Sequence, residues 1–330
     1  MRYTVSEKAE IINLVENSSL SIRLTLAKLD IHKSTFYHWL KRYQEDGFDG
    51  LEDKKPIPHA VWNKITSSHR EAIVELALEK PDLSPRELAV SYTDDKGYFV
   101  SESTVYRLLK ELDLITSPAY ILMEASDKFQ HPTARVNEMW QTDFTYFKII
   151  GWGWYYLSTV LDDYSRYIVA WRLCTSMSAR DVTDTLDDAL NYSGLSEIKV
   201  KHKPRLLSDN GPCYISGELA DYLQHNGMGH TRGRPYHPQT QGKIERWHRS
   251  MKNKILLNHY YLPGDLEEHL QQFIHYYNHE RYHESLDNVT PADVYYGRSE
   301  EILEQREMIK QNTIAMRKQM HYDKQLNQMS

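Results

Sequence analysis

Along this chain the spacing of apolar side chains changes twice. From residue 139 to about 173 apolar and polar positions alternate with period two, and on either side the period is three to four. The alternating stretch predicts three successive strands over 139–150, 154–161 and 167–173. Gly151-Trp152-Gly153 and Asp162-Asp163-Tyr164-Ser165 form the turns between them. A helix over 179–192 follows, with Val182, Leu186, Ala189 and Leu190 inward. Then come a strand over 205–208, a helix over 216–226, a short strand over 229–231 and a long helix over 239–258. Three strands followed by alternating helices and strands predict an α/β unit, a mixed sheet flanked by helices. Further helices are expected over 265–278 and 291–296. Residues 299–328 read as a polar, Met- and Gln-rich helical tail without a strict heptad, either a frayed surface helix or a contact with another subunit.

The chain before this sheet reads as helical throughout. Residues 6–46 carry three apolar stripes: Ala9, Ile11, Ile12, Leu14 and Val15; then Ile22, Leu26, Ala27 and Leu29 behind a Ser21 cap; then Phe36, Trp39 and Leu40 behind a Ser34 cap. Two short helices, a turn at Ile31 and a third helix make a helix-turn-helix unit. Lys33, Thr35, Tyr37, His38 and Lys41 are expected to face out as a groove-reading surface. After a Gly- and Pro-bearing linker the layout repeats. Ser84-Pro85-Arg86-Glu87 is a capping box, and Ser101-Glu102-Ser103-Thr104 opens a helix with Val105, Leu108, Leu109 and Leu112 inward. Ser103, Thr104, Arg107 and Lys110 lie on its outer side as further candidate DNA contacts, although the segment is acidic. The expected organisation is a helix-turn-helix domain over 1–50, a linker over 51–65, a second such domain over 66–115, a linker over 116–134, the sheet domain over 135–297 and the tail over 298–330.

Composition narrows the class. The chain has 330 residues, of which 40% are hydrophobic and 12% aromatic, enough for packed cores. It contains no run of about 18 apolar residues, so no membrane span is expected, and its first residues lack an apolar signal segment. Cys174 and Cys213 cannot complete a four-ligand zinc site and are expected to be reduced thiols. The net charge of −6 does not steer the whole protein to nucleic acid. One strip differs: between Arg232 and Lys254 there are seven Lys or Arg residues and a single acid, Glu245.

That acid is one of three with a common chemistry. Asp143 lies in the alternating run Trp140-Gln141-Thr142-Asp143-Phe144-Thr145. Asp209 follows Leu206-Leu207-Ser208, and Glu245 sits in the basic helix with 35 residues between the two acids. An Asp at a strand centre, one at a strand end and a Glu on a helix meet if the first and fourth strands are neighbours. Three hard carboxylates then suit two Mg²⁺ (or Mn²⁺) ions, the arrangement that phosphodiester chemistry uses. Ile244, Trp247, Met251 and Ile255 form the stripe that packs the helix on the sheet, and Glu245, His248, Arg249 and Lys252 share another face. Lys243, Arg246, His248, Arg249 and Lys252 are therefore candidate DNA contacts. Taken singly each acid has an ordinary reading: a strand-end Asp is usually a turn or cap residue, and a Glu among cations is usually a surface ion pair.

Trp140-Gln141-Thr142-Asp143-Phe144-Thr145, Leu207-Ser208-Asp209-Asn210-Gly211-Pro212 and Arg234-Pro235-Tyr236-His237-Pro238-Gln239-Thr240-Gln241-Gly242-Lys243-Ile244-Glu245-Arg246 together resemble the integrase catalytic core of bacterial insertion-sequence transposases, relatives of retroviral integrases. Tyr276-Tyr277-Asn278, Arg281-Tyr282-His283 and Thr290-Pro291-Ala292 resemble the end of that core, so the resemblance covers roughly 130–297. It implies a ribonuclease H-like fold and Asp143, Asp209 and Glu245 as catalytic metal ligands. It also implies cleavage at the ends of a mobile element by water, followed by attack of the freed 3′-hydroxyl on target DNA. Double-stranded DNA, a homo-oligomer bridging two ends and a bacterial, nucleoid-associated cytoplasmic location are the implied partners and setting. The zinc-binding front domain of retroviral integrases has no counterpart here. A domesticated DNA-binding regulator and a nuclease that cuts without joining are the competing readings.

Overall fold

The computed structural model describes residues 3–18, 20–52, 62–115, 133–196, 203–233 and 242–329. The lead-in Tyr236–Thr240, the stretch Pro118–Pro132 and most of the first linker lie outside the described residues. The chain folds as two units, Met1–Lys64 and Ile65–Ser330.

In the first unit, α1 (Val5–Glu16), α2 (Ile22–Lys28) and α3 (Lys33–Asp46) enclose Ile12, Val15, Leu26, Ile31, Phe36, Trp39 and Leu51. A Thr4–Glu7 capping box starts α1. The cap of α3 is His32 rather than the expected Ser34, with the His32 ring 2.7 Å from the Ser34 hydroxyl. Leu14 and Ile22, expected inside, are 49% and 41% exposed. Three short helices bury only a narrow stripe each, and these two residues fall at its edges. Lys33, Thr35, Tyr37, His38 and Lys41 all face solvent.

The second unit begins with three more helices, α4 (Ser67–Glu79), α5 (Pro85–Lys96) and α6 (Glu102–Glu111), packed around Ile73, Leu88, Tyr92, Val105, Leu108 and Leu109. The sheet follows: β1 (Met139–Ile149), β2 (Gly153–Asp162), β3 (Ile168–Cys174), β4 (Arg205–Ser208) and β5 (His230–Arg232). Its order is β3-β2-β1-β4-β5, with β2 antiparallel to both neighbours and β1, β4 and β5 parallel. This is the mixed sheet that the pattern predicts, in the ribonuclease H-like form that the resemblance implies.

Two layers of helix cover it. On one face α7 (Ala179–Tyr192) and α8 (Gly217–His225) pack on Trp140, Val160, Ala170 and Leu206. On the other, α9 (Gly242–Ile255) and α10 (Pro263–His279) pack on Phe147, Ile149, Leu157 and Leu161. Ile244, Trp247, Met251 and Ile255 are all buried, as the helical stripe requires. A short α11 (Pro291–Tyr295) leads to α12 (Ser299–Met329).

The long tail helix α12 is neither frayed nor free along its length. Arg306 forks onto the Asp94 carboxylate at 2.7 and 2.8 Å, Thr313 accepts from the Phe99 N–H, and Arg317 donates to the Tyr98 hydroxyl and the Phe99 carbonyl. It thereby ties α5 and the loop after it to the rest of the unit. Among the described residues no helix is long and apolar enough to cross a membrane.

Trp247 is 1% exposed and meets Phe273 and Tyr277 of α10 edge-on or tilted. Trp247→Ala is expected to lower unfolding free energy by about 3–5 kcal/mol in urea titrations, by lost burial plus the cavity left behind. Leu257→Ala, at a side chain that is 78% exposed, should change it little.

Candidate functional site

β1 and β4 are parallel neighbours, registered with Gln141 opposite Leu207. Two residues further in the same register, Asp143 stands opposite Asp209, just past the last residue of β4. Adjacent strands lie about 4.8 Å apart, so both carboxylates leave the sheet side by side. Alternation puts Gln141, Asp143, Thr145, Phe147 and Ile149 on one face, and Phe147 and Ile149 pack under α9, so Asp143 faces that helix.

Local chemistry orients each acid. Asp143 is partly exposed and its Oδ1 accepts the Phe144 N–H at 2.8 Å. Asp209 accepts the Gly211 N–H at 2.8 Å, an Asx turn. A Cβ at Gly211 would sit 3.0 Å from that carboxylate oxygen, so the glycine keeps the turn open. Both acids also act on the two residues behind them. The buried Tyr214 hydroxyl is pushed far above its ordinary value, first by burial and then by Asp143, with Asp209 adding to it. The Cys213 thiol is raised by burial and by the same two carboxylates. Asp143 and Asp209 thus share one negative neighbourhood.

The start of α9 is locked to this end of the sheet. Gln141, fully buried, accepts the Ile244 N–H at 3.1 Å and donates to Asp163 at 2.6 Å. Asp163, 2% exposed, receives Lys243 at 2.7 Å and the Thr133 hydroxyl at 2.6 Å. One residue past Ile244, Glu245 is exposed. It lies one helical turn before His248, whose Nδ1 is 3.5 Å from Asp143 Oδ2. Among the described residues no three His, Cys, Asp or Glu side chains close into a cluster able to hold a metal ion. Asp143, Asp209 and Glu245 are hard oxygen donors of the kind that suit a divalent cation.

Two of the residues expected to contact DNA, Lys243 and His248, are engaged within the protein. Lys243 commits its ammonium to buried Asp163, because the helix end cannot otherwise cover that carboxylate. His248 is 7% exposed and turned inward to Asp143, since its position on α9 lies against the sheet rather than the solvent. Arg246, Arg249 and Lys252 remain outward or partly exposed. The Lys252 ammonium is lowered by partial burial and held up by Asp143. In the second helical group Ser103, Arg107 and Lys110 are exposed and Thr104 is half-buried, bonded to Ser101 at 2.8 Å.

Sequence reasoning missed the residues that set these positions. Asp163 reads as a hairpin-turn residue, and its partner Lys243 is 80 positions away. Arg166, Arg246, Arg281 and Arg86 surround His283, whose imidazole is lowered to about 3, by burial first and then by those guanidiniums. Arg166 Nε and His283 Nε2 are buried without a hydrogen-bond partner among the described residues. A cavity of about 1050 Å³ lies elsewhere, lined by Glu79, Asp82, Glu87, Asp94, Asp95 and Asp293 among others. Its acidic wall is the wrong sign for phosphate.

Residues 133–238 match the integrase core domain family, and residues 226–291 match a second integrase core domain family. Residues 7–58 match a helix-turn-helix domain and residues 35–109 a homeodomain-like domain. This chain carries an integrase core. It is 31% identical over 135 residues to the Gag-Pro-Pol polyprotein of mouse mammary tumor virus (strain BR6), which covers 40% of the chain and 7% of that polyprotein. The chain therefore spans a small part of the retroviral polyproteins that it matches. A transposase-like protein of Haemophilus influenzae (strain ATCC 51907 / DSM 11121 / KW20 / Rd) is 28% identical over 159 residues, 48% of this chain and 70% of that protein. The HTLV-2 integrase catalytic core domain, solved in complex with magnesium, aligns with a TM-score of 0.39 at 20% identity, covering 49% of this chain and 97% of that one.

The integrase core also makes a pH prediction. His283 titrates lower in the folded than in the unfolded chain, so the unfolded chain binds more protons between about pH 6.5 and 3, and folding stability falls as pH drops through that window. Between pH 6.5 and 5, His283→Gln should flatten the fall in urea stability by up to about 1.4 kcal/mol per pH unit. An unchanged slope would remove His283 from the buried set.

Proposed function

We propose that this protein is a transposase of the insertion-sequence type, which binds the ends of a mobile DNA element, cuts there and joins the freed 3′-hydroxyl to target DNA. The observation that carries this reading is the register of β1 against β4, which sets Asp143 beside Asp209 under a helix rich in Lys and Arg. The integrase core match and the helix-turn-helix match in front of it support the same reading.

In this reading Asp143 and Asp209, completed by Glu245, would hold the divalent ions, Mg²⁺ or Mn²⁺. When bound, such ions supply Lewis-acid stabilisation of the phosphate and of the attacking oxygen. The chain's own residues do the rest. His248, against Asp143, fixes the face that this carboxylate presents. Arg249 and Lys252 meet the DNA backbone one and two turns along α9 from Glu245, where phosphate binding releases counterions. The outward face of α3, from Lys33 to Lys41, and Arg107 and Lys110 of α6 also meet DNA. A complex bridging two element ends would use more than one copy of the chain.

The test is a strand-transfer assay with end-bearing duplex and Mg²⁺. Wild-type protein should give joined product. Asp143→Asn, Asp209→Asn and Glu245→Gln should each lower joining by at least about a hundredfold while end binding persists, because only charge stabilisation at the phosphate is removed. Cut-only product would favour a nuclease, and binding alone a regulator. Replacing Arg249 and Lys252 by Ala should reduce the slope of log affinity against log salt by about one for each lost phosphate contact; an unaltered slope would remove α9 from the interface.

A further inference from the structure

The β1–β2 hairpin carries an aromatic surface that neither the packing nor the acids require. Tyr146 pairs across the strands with Tyr156, and Lys148 with Trp154. Tyr146 and Trp154 are 54% and 52% exposed, with ring centroids 5.3 Å apart at 80°. Trp152 and Ile150 at the turn are 58% and 50% exposed. Helices α7 and α8 cover the same sheet face only further back, at Trp140 and Val160. An exposed tryptophan pair beside a tyrosine is a costly surface for water alone and marks a contact site.

Its chemistry favours one occupant. Lys252 Nζ stands 4.4 Å from the Tyr146 ring centre, and Lys148 Nζ 5.9 Å from that of Trp154. Neither ammonium lies within ion-pair distance of a carboxylate among the described residues. Aromatic faces flanked by unneutralised cations suit a nucleic-acid strand, whose bases stack while its phosphates meet the charges. A protein partner would more often ask for a wider apolar patch without the lysines. The position agrees. Tyr146 is three residues from Asp143 on the same strand, roughly 10 Å at strand rise, and on the opposite face of the sheet; Lys252 of α9 reaches its ring from the Asp143 side. Lys252 feels the Asp143 carboxylate as well.

We propose that Tyr146 and Trp154, with Lys148 and Lys252, form a stacking platform for an unpaired nucleotide of the DNA strand that runs past Asp143. The platform rests on the reading of this chain as a DNA-cutting enzyme and adds a preference to it: DNA frayed next to the cut is bound better than intact duplex. Unstacking a base is costly, and a waiting ring offsets part of that cost.

The experiment compares a blunt 20-base-pair duplex with the same duplex carrying five unpaired nucleotides at one end, by fluorescence anisotropy on the full chain. Wild-type protein should prefer the forked duplex by roughly tenfold, the worth of about one stacked base. Trp154→Ala should abolish that preference and leave blunt-duplex affinity unchanged, and Trp154→Phe should retain most of it. Tyr146→Ala guards against compensation by the neighbouring ring, and far-UV circular dichroism confirms folding of each variant. Equal affinity of wild-type protein for both DNAs would overturn the platform. So would a fork preference that survives in the Tyr146→Ala, Trp154→Ala double variant. Loss of a dimer on sedimentation of Trp154→Ala, with the preference intact, would make this face a subunit interface instead. Strand joining without a fork preference sinks the platform and spares the transposase reading; a fork preference without joining does the reverse.

Discussion

The buried bridge from Gln141 through Asp163 to Lys243 decides where the basic helix sits. A carboxylate that is 2% exposed is costly to strip of water unless its oxygens are met. Here Gln141, Thr133 and Lys243 meet them, and Gln141 uses its other end on the first free N–H groups of α9. Three sequence-distant segments, 133–141, 163 and 243–244, are thereby held in one register. Removing Lys243 alone would leave the more buried partner, the Asp163 carboxylate, without its counter-charge. The apolar stripe of α9 adds most of the burial, but a stripe permits sliding along a sheet. The polar bridge fixes which turn of the helix faces Asp143.

Charge is unevenly spread in this acidic protein, and the proposed phosphate surface depends on that. The total of −6 is spread along the chain, and acids line the large cavity between α5, α10 and α12. Those acids reach the C-terminal end of α9, where Asp82 pairs with Lys254 at 2.9 Å, and charges more than a Debye length away, near 8 Å at about 0.15 M salt, are largely screened from the rest of the helix. What a phosphate meets there is the local set of Arg246, Arg249 and Lys252 and, around His283, Arg166 and Arg281. Arginines brought that close repel one another unless an anion or a carboxylate is near, and in the described residues Asp163 is the acid acting on Arg166. The neutral His283 in their midst adds no further positive charge.

Much of the architecture was readable in the chain because strands and helices here obey simple periods. Alternation from Met139 to Leu173 marks β1 to β3 to within two residues, since one face is buried and the other half-wet. The stripe Ile244, Trp247, Met251 and Ile255 is buried as its spacing demands. The neighbourhood of β1 and β4, on which the pairing of Asp143 with Asp209 depends, is met in the sheet order. What escaped was long-range or polar. Asp163 looks like any turn aspartate until Lys243 arrives from 80 residues away. His248 is expected on the same helix face as Arg249, yet it is 7% exposed with its Nδ1 3.5 Å from Asp143. The tail helix gave no signal because its docking rests on Arg306, Thr313 and Arg317, polar residues whose partners lie more than two hundred positions back.

The account's central claim is that Asp143 and Asp209 form the fixed half of a divalent-cation site. Titration of the full chain with Mn²⁺, followed by electron paramagnetic resonance of the free ion, tests it without any DNA. The account predicts saturable uptake by wild-type protein, which Asp143→Asn and Asp209→Asn each abolish, while Glu245→Gln weakens it less. Equal Mn²⁺ uptake by wild-type protein and both aspartate variants would contradict it.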